Sequence, residues 1–263
     1  MNDPERTDHI PVAAASERRF GGVARLYGDA AFTRIRAARV AVMGIGGVGS
    51  WAAEALARSG VGHIVLIDLD HVAESNINRQ IHALEETLGA AKVETMAQRI
   101  RAIDPAARVD AIDEFVTAEN AESLLAGCDW VIDAIDQVKV KVAVIGLCHR
   151  LGIPVVTAGG AGGKTDPARI RVDDLSRTEQ DPLLARVRKS LRQTQGFPRD
   201  PRRRFGVAAI YSDERLRYAT ERGSGEAPQG LSCAGYGSSM VVTASFGLFA
   251  AAQVIDGLAR GDA

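Results

Sequence analysis

The chain alternates short apolar runs with longer stretches of helical periodicity. Apolar runs at 40–43, 64–67, 109–112, 130–135 and 153–157 predict five strands, and runs without a polar alternate belong to strands buried on both faces. Between them, apolar residues recur every third or fourth position over 50–59, 89–103, 121–125 and 140–151, which predicts four helices. In the second of these, Val93, Met96, Ala97 and Ile100 share one face, and Asp104-Pro105 stops the helix. Parallel strands need crossovers of this length, so the expected fold is α/β: a Rossmann-like, doubly wound, mainly parallel sheet.

Upstream, Phe20, Val23, Leu26, Ala30, Phe32 and Ile35 predict two short helices over 17–38, broken at Gly21-Gly22 and Gly28, as an N-terminal helical arm. Downstream, 168–172 reads as a strand, 181–195 as a helix, 212–230 as a loop and 240–258 as an apolar helix. The unbroken apolar core of that helix is 16 residues, short of the roughly 20 a bilayer span requires. It predicts a buried helix or a dimer contact, and no membrane partner. The organisation expected is a loose leader at 1–16, a nucleotide-binding domain at 17–173 and a C-terminal α/β extension at 174–263.

Candidate chemistry starts at the first strand, which runs into Gly44-Ile45-Gly46-Gly47-Val48-Gly49 and then a helix; the second strand ends at Asp68. Gly44 suits the tight turn, Gly46 and Gly47 let phosphate approach the backbone, and Gly49 lets helix and strand pack closely. Asp68, nineteen residues after Gly49, is placed to accept hydrogen bonds from a ribose. Asn76, Arg79, Gln80 and Lys92 follow, and Asp136 falls at the carboxyl end of the fourth strand, where ligands of such sheets bind. A dehydrogenase binds its diphosphate through backbone amides. ATP, with three charged phosphates, benefits from two cations and from a carboxylate able to hold Mg²⁺. Lys92 in the first turn of a helix opposes the helix dipole unless an anion is near, which favours phosphate contact.

A second glycine stretch, 158–165, ends in Gly163-Lys164-Thr165 but has Ala158 where a P-loop needs glycine, and a strand rather than a helix follows. It is read as a loop close to the substrate of the first site.

Composition bounds the function. At 46% apolar and 25% charged, the 263 residues are an ordinary globular composition. Net charge is −1, so bulk affinity for nucleic acid is not expected. Its distribution changes the picture: residues 186–204 carry eight Arg or Lys against the single acid Asp200, which leaves the rest of the chain at −8. Arg186, Arg188, Lys189, Arg192, Arg202, Arg203 and Arg204, with Phe197 and Phe205 nearby, suit an RNA backbone. The three cysteines form no C-x-x-C pair, so neither zinc site nor disulfide framework is indicated, and a reducing cytoplasm is the expected setting. Cys233, before a glycine turn, reads equally as a relay thiol or a small packed side chain.

The set Gly44 to Gly49, Asp68, Asn76-x-x-Arg79-Gln80, Lys92 and Asp136 resembles the signature of the ubiquitin-activating-enzyme superfamily of adenylating enzymes, in its bacterial homodimeric branch with the molybdopterin and thiamine activators. Those activators carry paired C-x-x-C zinc motifs, absent here. Over nearly its whole length the chain instead resembles the tRNA threonylcarbamoyladenosine dehydratases. The match runs through Arg19-Phe20-Gly21-Gly22, Arg25-Leu26-Tyr27-Gly28, Ser50-Trp51, Asn78-Arg79-Gln80-Ile81-His82-Ala83-Leu84, Phe115-Val116-Thr117, the 159–163 loop, Gln180-Asp181-Pro182-Leu183 and the Cys233 segment.

That resemblance implies a homodimer using ATP and Mg²⁺, with Arg79, Lys92 and Asp136 catalytic and Asp136 holding the metal. It implies closure of the threonylcarbamoyl side chain beside the anticodon into a cyclic form. A monovalent cation and a cysteine desulfurase partner are further expectations. The superfamily also sends an N-terminal arginine into the partner's ATP site; Gly22 stands at that position here, leaving Arg19 or Arg25 to serve. Two other readings stay open: activation of a ubiquitin-like sulfur carrier, and a sulfur-relay or RNA-binding scaffold.

Overall fold

The computed structural model describes residues 12–217 and 236–262, with side chains from residue 18 onward. β1 (Arg39–Met43), β2 (His63–Ile67), β3 (Arg108–Ile112), β4 (Trp130–Asp133) and β5 (Val155–Ala158) pair in parallel. β7 (Ala208–Ser212) continues the sheet parallel to β5, and β6 (Ile170–Asp174) closes the edge antiparallel to β7, giving the order β3-β2-β1-β4-β5-β7-β6. The apolar pattern of the sequence does not predict β7. Residues past 173 are thus continuous with the sheet through β7.

The inner strands β1 and β2 read as apolar runs because both of their faces are covered. Along β1, Val40 and Val42 enter one core layer while Ala41 and Met43 enter the other; Ile64 and Leu66 of β2 are likewise separated from Val65 and Ile67. The first layer is closed by α3 (Gly49–Arg58), α4 (Lys92–Ile103) and α8 (Met240–Arg260). The second is closed by α5 (Ala121–Leu125), α6 (Val138–Leu151) and α7 (Pro182–Thr194). α7 starts where Pro182 occupies its first turn and the Asp181 carboxylate accepts the Leu184 N–H.

α8 is 21 residues long and largely apolar, so its length and composition would allow a bilayer span. Its buried face, including Val242, Phe246, Ala250 and Val254, lies in the core instead. Two glycines permit the approach: a Cβ on Gly247 would sit 2.4 Å from the Val48 carbonyl at the start of α3, and one on Gly257 2.2 Å from the Trp130 ring.

At the N-terminus, α1 (Val12–Tyr27) begins inside the stretch expected to be a loose leader, and it runs unbroken through Gly21-Gly22. Only Gly28, at φ 89°, separates it from α2 (Asp29–Ala37). A glycine pair costs a helix about 1 kcal/mol per residue. Burial of Phe20, which packs 6.3 Å from the Phe32 ring, offsets that cost. Arg34 of α2 donates to the Leu258 carbonyl (3.1 Å) and to that of Ala259, and the Tyr27 hydroxyl to Asp256 (3.2 Å), so the N-terminal helices hold the far end of α8.

Candidate active site

The strand order reverses direction between β1 and β4, and the loops leaving their carboxyl ends diverge to open a cleft of about 250 Å³. Two glycines of the first loop are required by geometry. Gly44 sits at φ 83°, and a Cβ there would lie 3.0 Å from the Ala134 carbonyl of the facing loop. Gly49 is tighter still, because a Cβ would meet the Gly44 carbonyl at 1.9 Å. Gly47 is flanked by the aliphatic stem of Arg79 and by Thr243 of α8, so two segments distant in sequence converge on the loop.

Asp68, beyond β2, accepts the Ile45 N–H (2.6 Å) and the Asp70 N–H (2.8 Å). Burial raises its pKa, and those amides and Lys92 partly offset the rise. Its carboxylate therefore braces the glycine loop while lining the cleft. Lys92 is buried, with Nζ 2.7 Å from an Asp70 oxygen. The Arg79 guanidinium donates to the Ser75 carbonyl (2.5 Å) and to Asn78 Oδ1 (3.0 Å), while Trp51 Nε1 holds the Arg79 carbonyl at 2.9 Å. Gln80 lines the cleft, and its buried Oε1 has no hydrogen-bond partner among the described residues. Asp136 is exposed at the rim, three residues past the end of β4. Asn76 lies behind the cleft, buried, with Oδ1 accepting the Ala73 N–H (3.1 Å); it shapes the turn that carries Arg79.

These residues suit a polyphosphate. Backbone amides at the start of α3, two cations and a rim carboxylate face one cavity. Mg²⁺ is commonly held by one or two carboxylates plus phosphate oxygens, which Asp136 matches. Among the described residues no cluster of three His, Cys, Asp or Glu forms a closed protein cage.

Beneath the rim lies a group that the sequence pattern does not reveal. Lys141 of α6 is completely buried, and its Nζ donates to Asp133 Oδ2 (3.0 Å), the Asp133 carbonyl (3.2 Å) and Thr157 Oγ1 (2.9 Å). Asp133 and Thr157 are register partners on β4 and β5.

The second glycine stretch joins the same cleft through Gly159, Gly160 and Ala161. Asp181 fixes it by accepting the Gly160 N–H (2.8 Å), and a Cβ on Gly159 would lie 2.0 Å from that carboxylate. Lys164 serves no phosphate: it is buried and donates to the carbonyls of Gln180 (3.1 Å), Ser212 (3.3 Å) and Glu214.

The basic run divides. Arg186, Lys189, Arg202, Arg203 and Arg204 are exposed. Arg188 and Arg192 are half-buried and make internal hydrogen bonds. Arg188 donates to Thr178 Oγ1, and Arg192 donates to the Pro198 carbonyl (3.2 Å) and stacks 5.0 Å from the Phe205 ring. Phe197 and Phe205 are core residues packed edge to face, so neither offers a base-stacking surface. Their spacing within a helix-and-turn unit signals the hydrophobic closure of α7.

Arg19 is exposed and donates to the Ile103 carbonyl (2.7 Å) at the end of α4. That contact lies at the amino ends of the strands, opposite its own cleft. Arg25 is exposed and folds back over Gly21. Neither enters the cleft of its own chain. Cys233 lies outside the described residues. Cys128 and Cys148 are buried and free, and burial pushes their thiols up, that of Cys148 to about 12.

A doubly wound sheet with a glycine phosphate loop, paired cations and a strand-end carboxylate defines a nucleotide-activating protein. The chain belongs to the ThiF family, which matches residues 21–259. It is 46% identical over 246 residues to the tRNA threonylcarbamoyladenosine dehydratase of Haemophilus influenzae, covering 93% of this chain and 94% of that protein. To the dehydratase of Escherichia coli it is 47% identical over 255 residues, covering 94% and 95%. The crystal structure of the Escherichia coli dehydratase in complex with ATP superposes with a TM-score of 0.87 at 44% identity, over 96% of this chain and 98% of that one.

Proposed function

We propose that this protein dehydrates N6-threonylcarbamoyladenosine of tRNA at the expense of ATP, closing the side chain into a ring. The observation that carries the reading is the convergence of the glycine loop, Asp68, Arg79, Lys92 and Asp136 on one cleft. The relatives' names and the ATP complex of one of them support it.

A carboxylate is a poor electrophile because its leaving group would be oxide. Phosphoryl activation converts it to a mixed anhydride, whose leaving group is a stable anion. Attack by the carboxylate builds charge on the phosphate oxygens, which Arg79 and Lys92 are placed to neutralise. Lys92 is paired with Asp70, so nucleotide competes for an ammonium already held at the cleft wall. Asp136 would hold Mg²⁺, which supplies further charge neutralisation on those oxygens. The carbamoyl group of the same side chain then attacks the activated carbonyl. Because this step is intramolecular, holding the nucleoside in place suffices and no cysteine relay is required.

Exposed Arg186, Lys189 and Arg202 to Arg204 supply the tRNA-contact face in this reading. A homodimer is supported by the apolar stripe on α8: Val241, Leu248 and Phe249 recur at one helical face and are each more than two-fifths exposed.

The test is mass spectrometry of the modified nucleoside after incubation with ATP, Mg²⁺ and tRNA bearing threonylcarbamoyladenosine. Loss of one water that depends on ATP is the expected result. Arg79→Ala and Asp136→Ala abolish it while tRNA binding persists; full activity in either variant would sink the assignment.

A further inference from the structure

The buried Lys141 pairs with Asp133 where apolar residues would pack at lower desolvation cost. Replacing such a pair by hydrophobic residues is often neutral or stabilising, so its presence calls for a role beyond stability. Its connections supply one. Asp133 Oδ1 accepts the Ile135 N–H (3.2 Å), which fixes the bend between β4 and Asp136. The Ala134 carbonyl of the same bend abuts Gly44, the first residue of the phosphate loop. Thr157 Oγ1 donates to Asp133 Oδ2 (2.8 Å), and its strand leads within two residues into the Gly159–Gly160 wall of the cleft. Asp181, which holds Gly160, also feels the Lys141 charge.

We propose that Asp133, seated between Lys141 and Thr157, is a positioning residue: its carboxyl group ties the Asp136 bend, which abuts the phosphate loop, to the strand that leads into the 159–163 wall. Its Oδ1 acceptor orients the Ile135 amide and so aims Asp136. None of the three touches substrate. The inference rests on the ATP-activating reading of this cleft.

The experiment compares two uncharged replacements in the full-length protein. Asp133→Leu with Lys141→Met and Thr157→Val removes the charges and the Ile135 acceptor together. Asp133→Asn with Lys141→Met also removes the charges, but Asn retains an acceptor for Ile135. The Leu-bearing variant is expected to melt near wild type, to lose about 10- to 100-fold in kcat, to need more Mg²⁺ for half-maximal rate, and to exchange the Ile135 amide faster. Asn is expected to restore kcat and the slow exchange. Equal kcat and exchange in the two variants would overturn the proposal, because they would show that the acceptor does nothing. If the Leu-bearing variant fails to fold, exchange in the wild type decides: an Ile135 amide no slower than that of exposed Gln137 is the overturning result. Wild-type protein that binds ATP but leaves the nucleoside unchanged would overturn the ATP-activating reading instead, and the exchange comparison would still decide the tie.

Discussion

Lowering the pH from 7.5 to 5.0 should remove stability through one side chain, His82. The imidazole is 2% exposed, and neither ring nitrogen has a hydrogen-bond partner among the described residues. Burial, then the charges of Lys92 and Arg99, push its pKa down from 6.5 to about 4. A histidine depressed in the fold is neutral there and protonated in the unfolded chain once the pH drops below 6.5. The unfolded state then binds more protons, and stability falls as pH falls towards 4. Linkage over that interval gives a loss of about 2 kcal/mol between pH 7.5 and 5.0. Glu214 barely contributes there. Burial raises its pKa, but the Thr165 and Asp166 amides, the Thr165 hydroxyl and Arg217 lower it to about 2, so its stabilisation is lost as pH falls below 4.5. The assay is urea denaturation at both pH values for wild type and His82→Phe, which keeps the ring and removes the proton site. On a typical urea slope of about 1–3 kcal/mol/M, the wild-type midpoint should fall between the two pH values by about 0.7–2 M more than that of the variant. Equal pH losses in the two proteins would refute the reasoning.

Two further outcomes follow from the packing of the phosphate loop and from the basic face. Gly49→Ala places a methyl 1.9 Å from the Gly44 carbonyl, so the phosphate loop must open; calorimetry should show ATP affinity down at least about tenfold, and unchanged affinity would refute the role. Changing Arg186, Lys189 and Arg203 together to Gln should flatten the dependence of tRNA affinity on salt by about 0.7–0.9 log units for each phosphate left without its cation, while ATP binding stays the same. An unchanged slope would remove these residues from the tRNA face.

The part of the fold nearest the phosphate loop was legible because every signal there is local. β1, the glycine spacing, α3 and β2 follow in a single stretch, and Gly49 is needed for a close approach to a residue only five positions back. β7 was not legible: Ala208-Ala209-Ile210-Tyr211-Ser212 is short, follows a basic run, and becomes a strand only because β5 and β6 flank it. Lys141 was hidden for a related reason. In Val138-Lys139-Val140-Lys141-Val142 a lysine reads as a solvated face, and only the pairing of Asp133 with Thr157 across two strands makes a polar place for it. The aromatics of the basic run misled because composition shows their proximity in sequence, not that Phe197 and Phe205 turn inward. Function at the cleft was read through residue types whose spacing is short, and missed where charge balance depends on partners far along the chain.

α8 has one end in the cleft, through Thr243, and the other in the grip of Arg34 and Tyr27. It also follows all seven strands in sequence. On the ribosome, therefore, the sheet and phosphate loop emerge while the face of α3 that receives Gly247 is still bare. A nascent chain halted before Met240 has its glycine loop but lacks the helix that walls it in.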